Sequence, residues 1–115
     1  MTSFNQVILT GKVATPPRRH YRPDGSPVVQ FPLELDDVKG SAGHTQHRNG
    51  KEQEGRGLID VVAFGDLAEF KADLLQTGQH LWVSGRLNLR HWETPEGKKQ
   101  TRTEVIATDL RRAED

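Results

Sequence analysis

Residues 58–92 read LIDVVAFGDLAEFKADLLQTGQHLWVSGRLNLRHW, and this stretch decides the fold. It opens with a strand over 58–64. Ile59, Val61 and Ala63 share one face, and Asp60, Val62 and Phe64 share the other. A helix signal follows. Asp66 is a good N-cap, and Glu69 stands three residues on, where a capping-box carboxylate reaches back. Leu67, Phe70, Leu74 and Leu75 form an apolar stripe, and Gly78 is a stop signal, predicting about three turns. A second strand runs over 80–90. Leu81, Val83, Gly85, Leu87 and Leu89 are expected inward, and Trp82, Ser84, Arg86, Asn88 and Arg90 outward. The stretch ends on Arg90, His91 and Trp92, an aromatic flanked by cations.

The rest of the chain alternates in the manner of strands. Residues 5–12 put Val7 and Leu9 on one face, with Gly11 placed as a barrel bend. Pro16 to Arg22 is extended and basic, and Pro23-Asp24-Gly25 is a turn by its chemistry. Residues 28–38 put Val29, Phe31, Leu33 and Leu35 inward, and Pro32 falls on the outer face, where it removes one ladder donor. Residues 94–99 form a turn with a basic tip, followed by a strand over 101–108. The expected architecture is all-β: a five-stranded OB-fold barrel with one short helix between strands 3 and 4. One domain over 1–110 contains a long flexible loop at 39–57, which has too little apolar surface to order itself. Residues 111–115 are expected to be a short tail.

Composition narrows the function. Lys plus Arg number 16 and Asp plus Glu number 16, which argues against a polybasic coat but not against a local basic groove. There is no cysteine, so disulfides and thiolate metal sites are excluded. No apolar run approaches the ~20 residues that span a bilayer, and the N-terminus has no secretory pattern. A cytoplasmic, nucleoid-associated protein is the expectation. His44 and His47 lie in the glycine-rich loop without a rigid frame, and the loop reading outweighs a metal site. No nucleophile elbow, paired carboxylates or phosphate-cradling loop is present, so neither catalysis nor a cofactor is expected.

Several segments together carry a resemblance: 5–11 (NQVILTG), 21–25 (YRPDG), 61–69 (VVAFGDLAE), 83–87 (VSGRL), the Arg90-His91-Trp92 ending, Gly97, and 103–105 (TEV). In this order and spacing the chain resembles the bacterial single-stranded DNA-binding proteins of the OB fold, including their relative primosomal replication protein N. The resemblance implies sequence-independent binding of single-stranded DNA in replication, repair or recombination, by a homodimer or homotetramer. It matches Phe64 and Trp92 to aromatics on which bases stack. Stacking is worth roughly 1–3 kcal/mol per base and tolerates any sequence. Cations for the phosphates are sought in Arg86, Arg90, His91, Lys98 and Lys99. Arg18, Arg19, Tyr21 and Arg22 of the first loop and Arg48, Lys51 and Arg56 of the long loop are further candidates.

Alternatives stand beside these assignments. Phe64 could pack under the long loop, Trp92 could serve an interface, and Arg18 and Arg19 could be a solvated edge that blocks strand pairing. Trp82 is read as a subunit contact. Leu58, Asp60 and Asp66 stand where the family tends to be aromatic or basic. Two rival functions follow: a restart adaptor binding single-stranded DNA and a helicase, and an interaction module that binds no DNA.

Overall fold

The computed structural model describes residues 3–36 and 57–113. Six strands form one sheet: β1 (Val7–Val13), β2 (Arg18–Tyr21), β3 (Pro27–Leu35), β4 (Leu58–Phe64), β5 (His80–Glu93) and β6 (Lys99–Arg112). Their order is β1-β5-β6-β4-β3-β2, and β1 also pairs with β3, so five of them close a ring. β4 meets β6 in parallel, and the other pairings are antiparallel. The OB architecture expected above holds, with β2 added as a short strand beside the start of β3.

Closure depends on two glycines. Gly11 pairs with Leu35 on one side and Leu81 on the other, where β1 serves two neighbours. A Cβ there would stand 2.3 Å from the Glu34 carbonyl oxygen. Gly85 lies at the β-bulge between β5 and β6, where a Cβ would stand 2.2 Å from the Ile106 carbonyl oxygen.

The inward residues of β3 and β4 follow the alternation. Phe31, Leu33, Val61, Ala63, Leu81, Val83, Val105 and Leu110 are buried together in the core. Each fully buried Val, Leu or Phe side chain among them contributes about 1.5–3 kcal/mol of transfer free energy. Ala68 and Leu75 close the end of the barrel, with Leu67 and Leu74 partly buried against them.

The helix departs from expectation. α1 spans only Gly65–Phe70, and a separate 3-10 turn follows at Ala72–Leu74. The chain enters α1 directly from β4 through Gly65, whose φ is 59°. The N-cap is therefore Phe64, not Asp66, and no side chain caps the helix. Asp66 sits instead in the first turn, where a negative charge favours the helix dipole. Phe70 belongs to no core stripe and is 74 % exposed.

The last two strands are longer than expected. β5 runs on to Glu93 and β6 from Lys99 to Arg112, which takes Arg111 and Arg112 out of the expected tail. The partnership of β5 with β1 stops at Gly85, opposite Val7. Beyond it, among the described residues, β5 has only β6 beside it, and the two project as an arm. Leu87 and Leu89, expected inward, are exposed for that reason. Asn5 steps in where β1 ends: its Nδ2 donates to the Leu87 carbonyl and its Oδ1 accepts from the Leu87 N–H, both at 2.9 Å.

Candidate nucleic-acid interface

Strand register determines which candidates share a face. Opposed residues point to the same side of a sheet. His20 opposes Val28, and Val28 opposes Phe64. Arg18 opposes Gln30, Gln30 opposes Val62, and Val62 opposes Ile106. Ile106 opposes Arg86, Glu104 opposes Asn88, Arg102 opposes Arg90, and Gln100 opposes Trp92. One continuous outer face therefore carries Arg18, His20, Phe64, Arg86, Arg90, Arg102 and Trp92.

Phe64 is half-buried on this face against a second apolar cluster, Val28, Val62 and Ile106. The 22–26 turn delivers a cation to it. Gly25, at φ 90°, donates its N–H to the Arg22 carbonyl, and Asp24 Oδ1 accepts from both the N–H and the hydroxyl of Ser26. Those bonds from Ser26 hold the Asp24 carboxyl below its ordinary range. The Ser26 hydroxyl in turn accepts from Arg22 Nε at 3.0 Å. So anchored, the Arg22 guanidinium lies 4.6 Å from the centre of the Phe64 ring. Guanidinium planes and aromatic rings both stack with bases, so the pair offers a mixed platform.

Two carboxylates lie between Phe64 and Trp92. Arg102 Nη1 donates to Asp60 Oδ2 at 3.1 Å. Glu104 is the only buried charged residue among the described residues, 5 % exposed. Its Oε2 accepts from Asn88 Nδ2 at 3.0 Å. Its Oε1 has no hydrogen-bond partner, although Arg90 Nη2 stands 3.5 Å away. His20, Arg22, Gln30, Phe64, Arg90 and Glu104 line a cleft of about 300 Å³ with Val28 and Val62 as its floor.

Trp92 is 43 % exposed near the tip of the β5–β6 arm. Arg90, His91 and Arg102 line a hollow beside it. His91 itself points to the opposite side of the arm, where its Nδ1 is 3.1 Å from the Thr101 hydroxyl. Lys99 opposes Glu93 and lies on that opposite side as well, while Lys98 belongs to the turn closed by Thr94 and Gly97. Arg19 and Tyr21 alternate with Arg18 and His20, so they too face away from Phe64. Trp82 is held elsewhere on the barrel by Arg111, whose guanidinium carbon is 5.3 Å from its ring centre. Arg48, Lys51, Arg56, His44 and His47 lie outside the described residues.

The structure thus gathers Arg18, Arg22, Phe64, Arg86, Arg90 and Trp92 on one face and turns Arg19 and Tyr21 away from it, while His91 and Lys99 line a hollow with Trp92 near the tip of the arm. It adds His20, Gln30 and Arg102, which sequence reasoning missed. Alternation within β2 signals His20, whereas Arg102 is visible only through the register of the arm. Among the described residues, no group of three or more His, Cys, Asp or Glu stands ready for a metal ion, and no helix is long and apolar enough to cross a membrane.

Residues 4–113 match the profile of the Single-strand binding protein family. A single-stranded DNA-binding protein of Thermotoga maritima is 33 % identical over 96 % of this chain and 74 % of its own length. One of Aquifex aeolicus is 35 % identical over 94 % of this chain and 69 % of its own. A solved structure described as Plasmodium falciparum SSB in complex with single-stranded DNA superposes with a TM-score of 0.79 at 20 % identity, covering 99 % of this chain and 98 % of that one.

Proposed function

This chain belongs to the single-strand binding protein family, and from that premise we propose that it binds single-stranded DNA without sequence-dictated register across the outer face of β2, β3, β4, β6 and β5. The observation that carries the reading is the placement of Phe64 under Arg22 and of Trp92 beside Arg90 on one continuous face. Bases stack on the aromatic platforms while arginines between and around them neutralise phosphates. The role is reversible binding in replication, repair or recombination, in the cytoplasm and at the nucleoid, and needs no bond-making chemistry.

Self-association belongs to the same proposal. Among the described residues, Val7 to Leu9 pair with β5 on one edge only, and an open strand edge is a template for another chain. Phe4, Ile8, Leu87 and Leu89 are exposed on or near that part of the molecule. A homodimer or homotetramer covers this apolar surface.

Titration of labelled oligo-dT with wild type and Trp92→Ala, at several salt concentrations, tests the binding role. Wild type binds at low salt, loses affinity as salt rises, and is weakened by the substitution by roughly 1–3 kcal/mol if one base stacks there. No binding at low salt would refute the function, and unchanged binding by Trp92→Ala would remove Trp92 from the interface.

A further inference from the structure

We propose that Arg22 is a built-in competitor for the Phe64 ring. It covers the ring in the free chain, yields that place to a base and moves to a phosphate, and Ser26 is the positioning residue that sets its hold. This rests on the DNA-binding reading above and deepens it. Phe64 packs on Val28, Val62 and Ile106, and the Arg22 guanidinium stands 4.6 Å from its ring centre. Both side chains line the cleft that His20, Gln30 and Arg90 also border. The 22–26 turn builds the cover. The Arg22 N–H donates to the Ser26 carbonyl at 2.9 Å, which fixes the root of the side chain. Its Nε donates to the Ser26 hydroxyl at 3.0 Å, and that hydroxyl donates its own proton to Asp24 Oδ1 at 2.7 Å. The hydroxyl oxygen is thereby kept as an acceptor for Arg22. Among the described residues the terminal nitrogens of Arg22 have no hydrogen-bond partner, so they are open to an acceptor that arrives from outside.

The magnitudes decide which partner the ring keeps. A cation over an exposed aromatic ring favours the closed arrangement by about two- to fivefold. A base stacked on an aromatic ring gains about five- to 150-fold. The base therefore displaces the guanidinium rather than being excluded by it, and the cover lowers the apparent affinity only by the fraction of chains in which it is shut. The displaced guanidinium is not lost to the complex. A nucleotide's phosphate lies one sugar away from its base, within the sweep of an arginine side chain. A charge-assisted bond to that phosphate is stronger than a bond to a neutral hydroxyl. Arg22 thus opposes binding through the ring and supports it through the phosphate. The phosphate contact fades as salt rises, whereas the cover, internal to the chain, persists.

The test is a titration of labelled oligo-dT with wild type, Arg22→Ala and Ser26→Ala from about 0.05 to 0.5 M salt. Both positions lie in a surface turn outside the core, so the variants keep the barrel. Arg22→Ala loses one phosphate contact, and its slope of log affinity against log salt should be shallower by about 0.7. It should bind about two- to fourfold more weakly than wild type at the low end and up to about threefold more tightly at the high end, so the two curves cross. Ser26→Ala keeps every charge and should bind about twofold more tightly at all salts, with the wild-type slope. In a Phe64→Leu background, Arg22→Ala should bring no gain at high salt. Weaker binding by Arg22→Ala at every salt overturns the proposal, because it makes the guanidinium a lasting part of the platform. Tighter binding by Arg22→Ala with an unchanged slope also overturns it, since no phosphate contact is then lost. Ser26→Ala binding no more tightly than wild type overturns the positioning role. Each of these results leaves single-strand binding intact. Absence of oligo-dT binding by wild type at low salt overturns the parent reading and this one together.

Discussion

Asp60 restrains an arginine on the proposed DNA face, so Asp60→Asn should tighten binding while steepening its salt dependence. Arg102 Nη1 is 3.1 Å from Asp60 Oδ2, and the two side chains are 48 % and 24 % exposed. A partly exposed pair of this kind stabilises the fold by no more than about 1 kcal/mol. The near-isosteric change therefore costs little stability, and the amide oxygen can still accept from Arg102. Its effect on the interface is larger. It removes one negative charge from the face and leaves the Arg102 guanidinium to compensate a phosphate instead. One added phosphate contact on a single strand raises the slope of log affinity against log salt by about 0.7. Between about 0.05 and 0.2 M salt that adds roughly a 2.5-fold further loss of affinity to the wild-type loss. Fluorescence anisotropy with labelled oligo-dT at four salt concentrations measures both quantities. Tighter binding at low salt with a slope steeper by about one contact is the expected result. Unchanged slope and affinity would show that Arg102 never meets a phosphate, and weaker binding would show that the ion pair shapes the site rather than masking it.

Other expected outcomes bear on the fold and the assembly. Gly85→Ala forces a Cβ to 2.2 Å from the Ile106 carbonyl oxygen, so chemical denaturation should show a loss of at least the ~1–3 kcal/mol typical of overpacking. Asp36 has its carboxyl held below the ordinary 3.8, first by the Thr10 hydroxyl and then by His80. A depressed folded-state pKa supplies stability above the unfolded value that is lost as pH falls through the folded one. Wild type should therefore lose thermal stability progressively below about pH 4, and Thr10→Val should lose less over the same window, as read by unfolding temperature against pH. Leu89→Glu places a charge on the exposed apolar side of the arm; light scattering should show a smaller particle than wild type, with oligo-dT binding per chain retained at high protein concentration.

Where each strand is half-buried, alternation alone located the core. Val29, Phe31, Leu33, Val61 and Ala63 lie inward as their spacing requires, and Phe64 faces out. The same rule misled at Leu87 and Leu89, because alternation assigns a side but not what stands opposite it. Only the point at which β1 releases β5 reveals that the arm has no barrel to face. The helix differed for a similar reason. Asp66 and Glu69 satisfy a capping pattern, but the start of α1 is set by Gly65 and by the exit from β4. At the interface, the period of two separates Arg90 and Trp92 from His91 and could have been applied from sequence. The pairing of Asp60 with Arg102 could not, since it joins residues 42 apart through a parallel ladder. The burial of Glu104 likewise follows from three strands meeting around it.

The insertion of β1 between β3 and β5, and of β6 between β5 and β4, has a consequence for how the chain acquires its shape during synthesis. Val7 waits for Gly85, and Val62 waits for Ile106, before either ladder exists. An emerging nascent chain can form the β2–β3 hairpin early, but the ring cannot shut until the region around residue 106 has left the ribosome. Such sequence-distant pairing places folding in the slower, millisecond-to-second regime of small β-barrels. Shortening the chain ahead of β6 should thus abolish the cooperative transition altogether rather than lower its midpoint, because no smaller closed unit is available for the preceding strands to adopt.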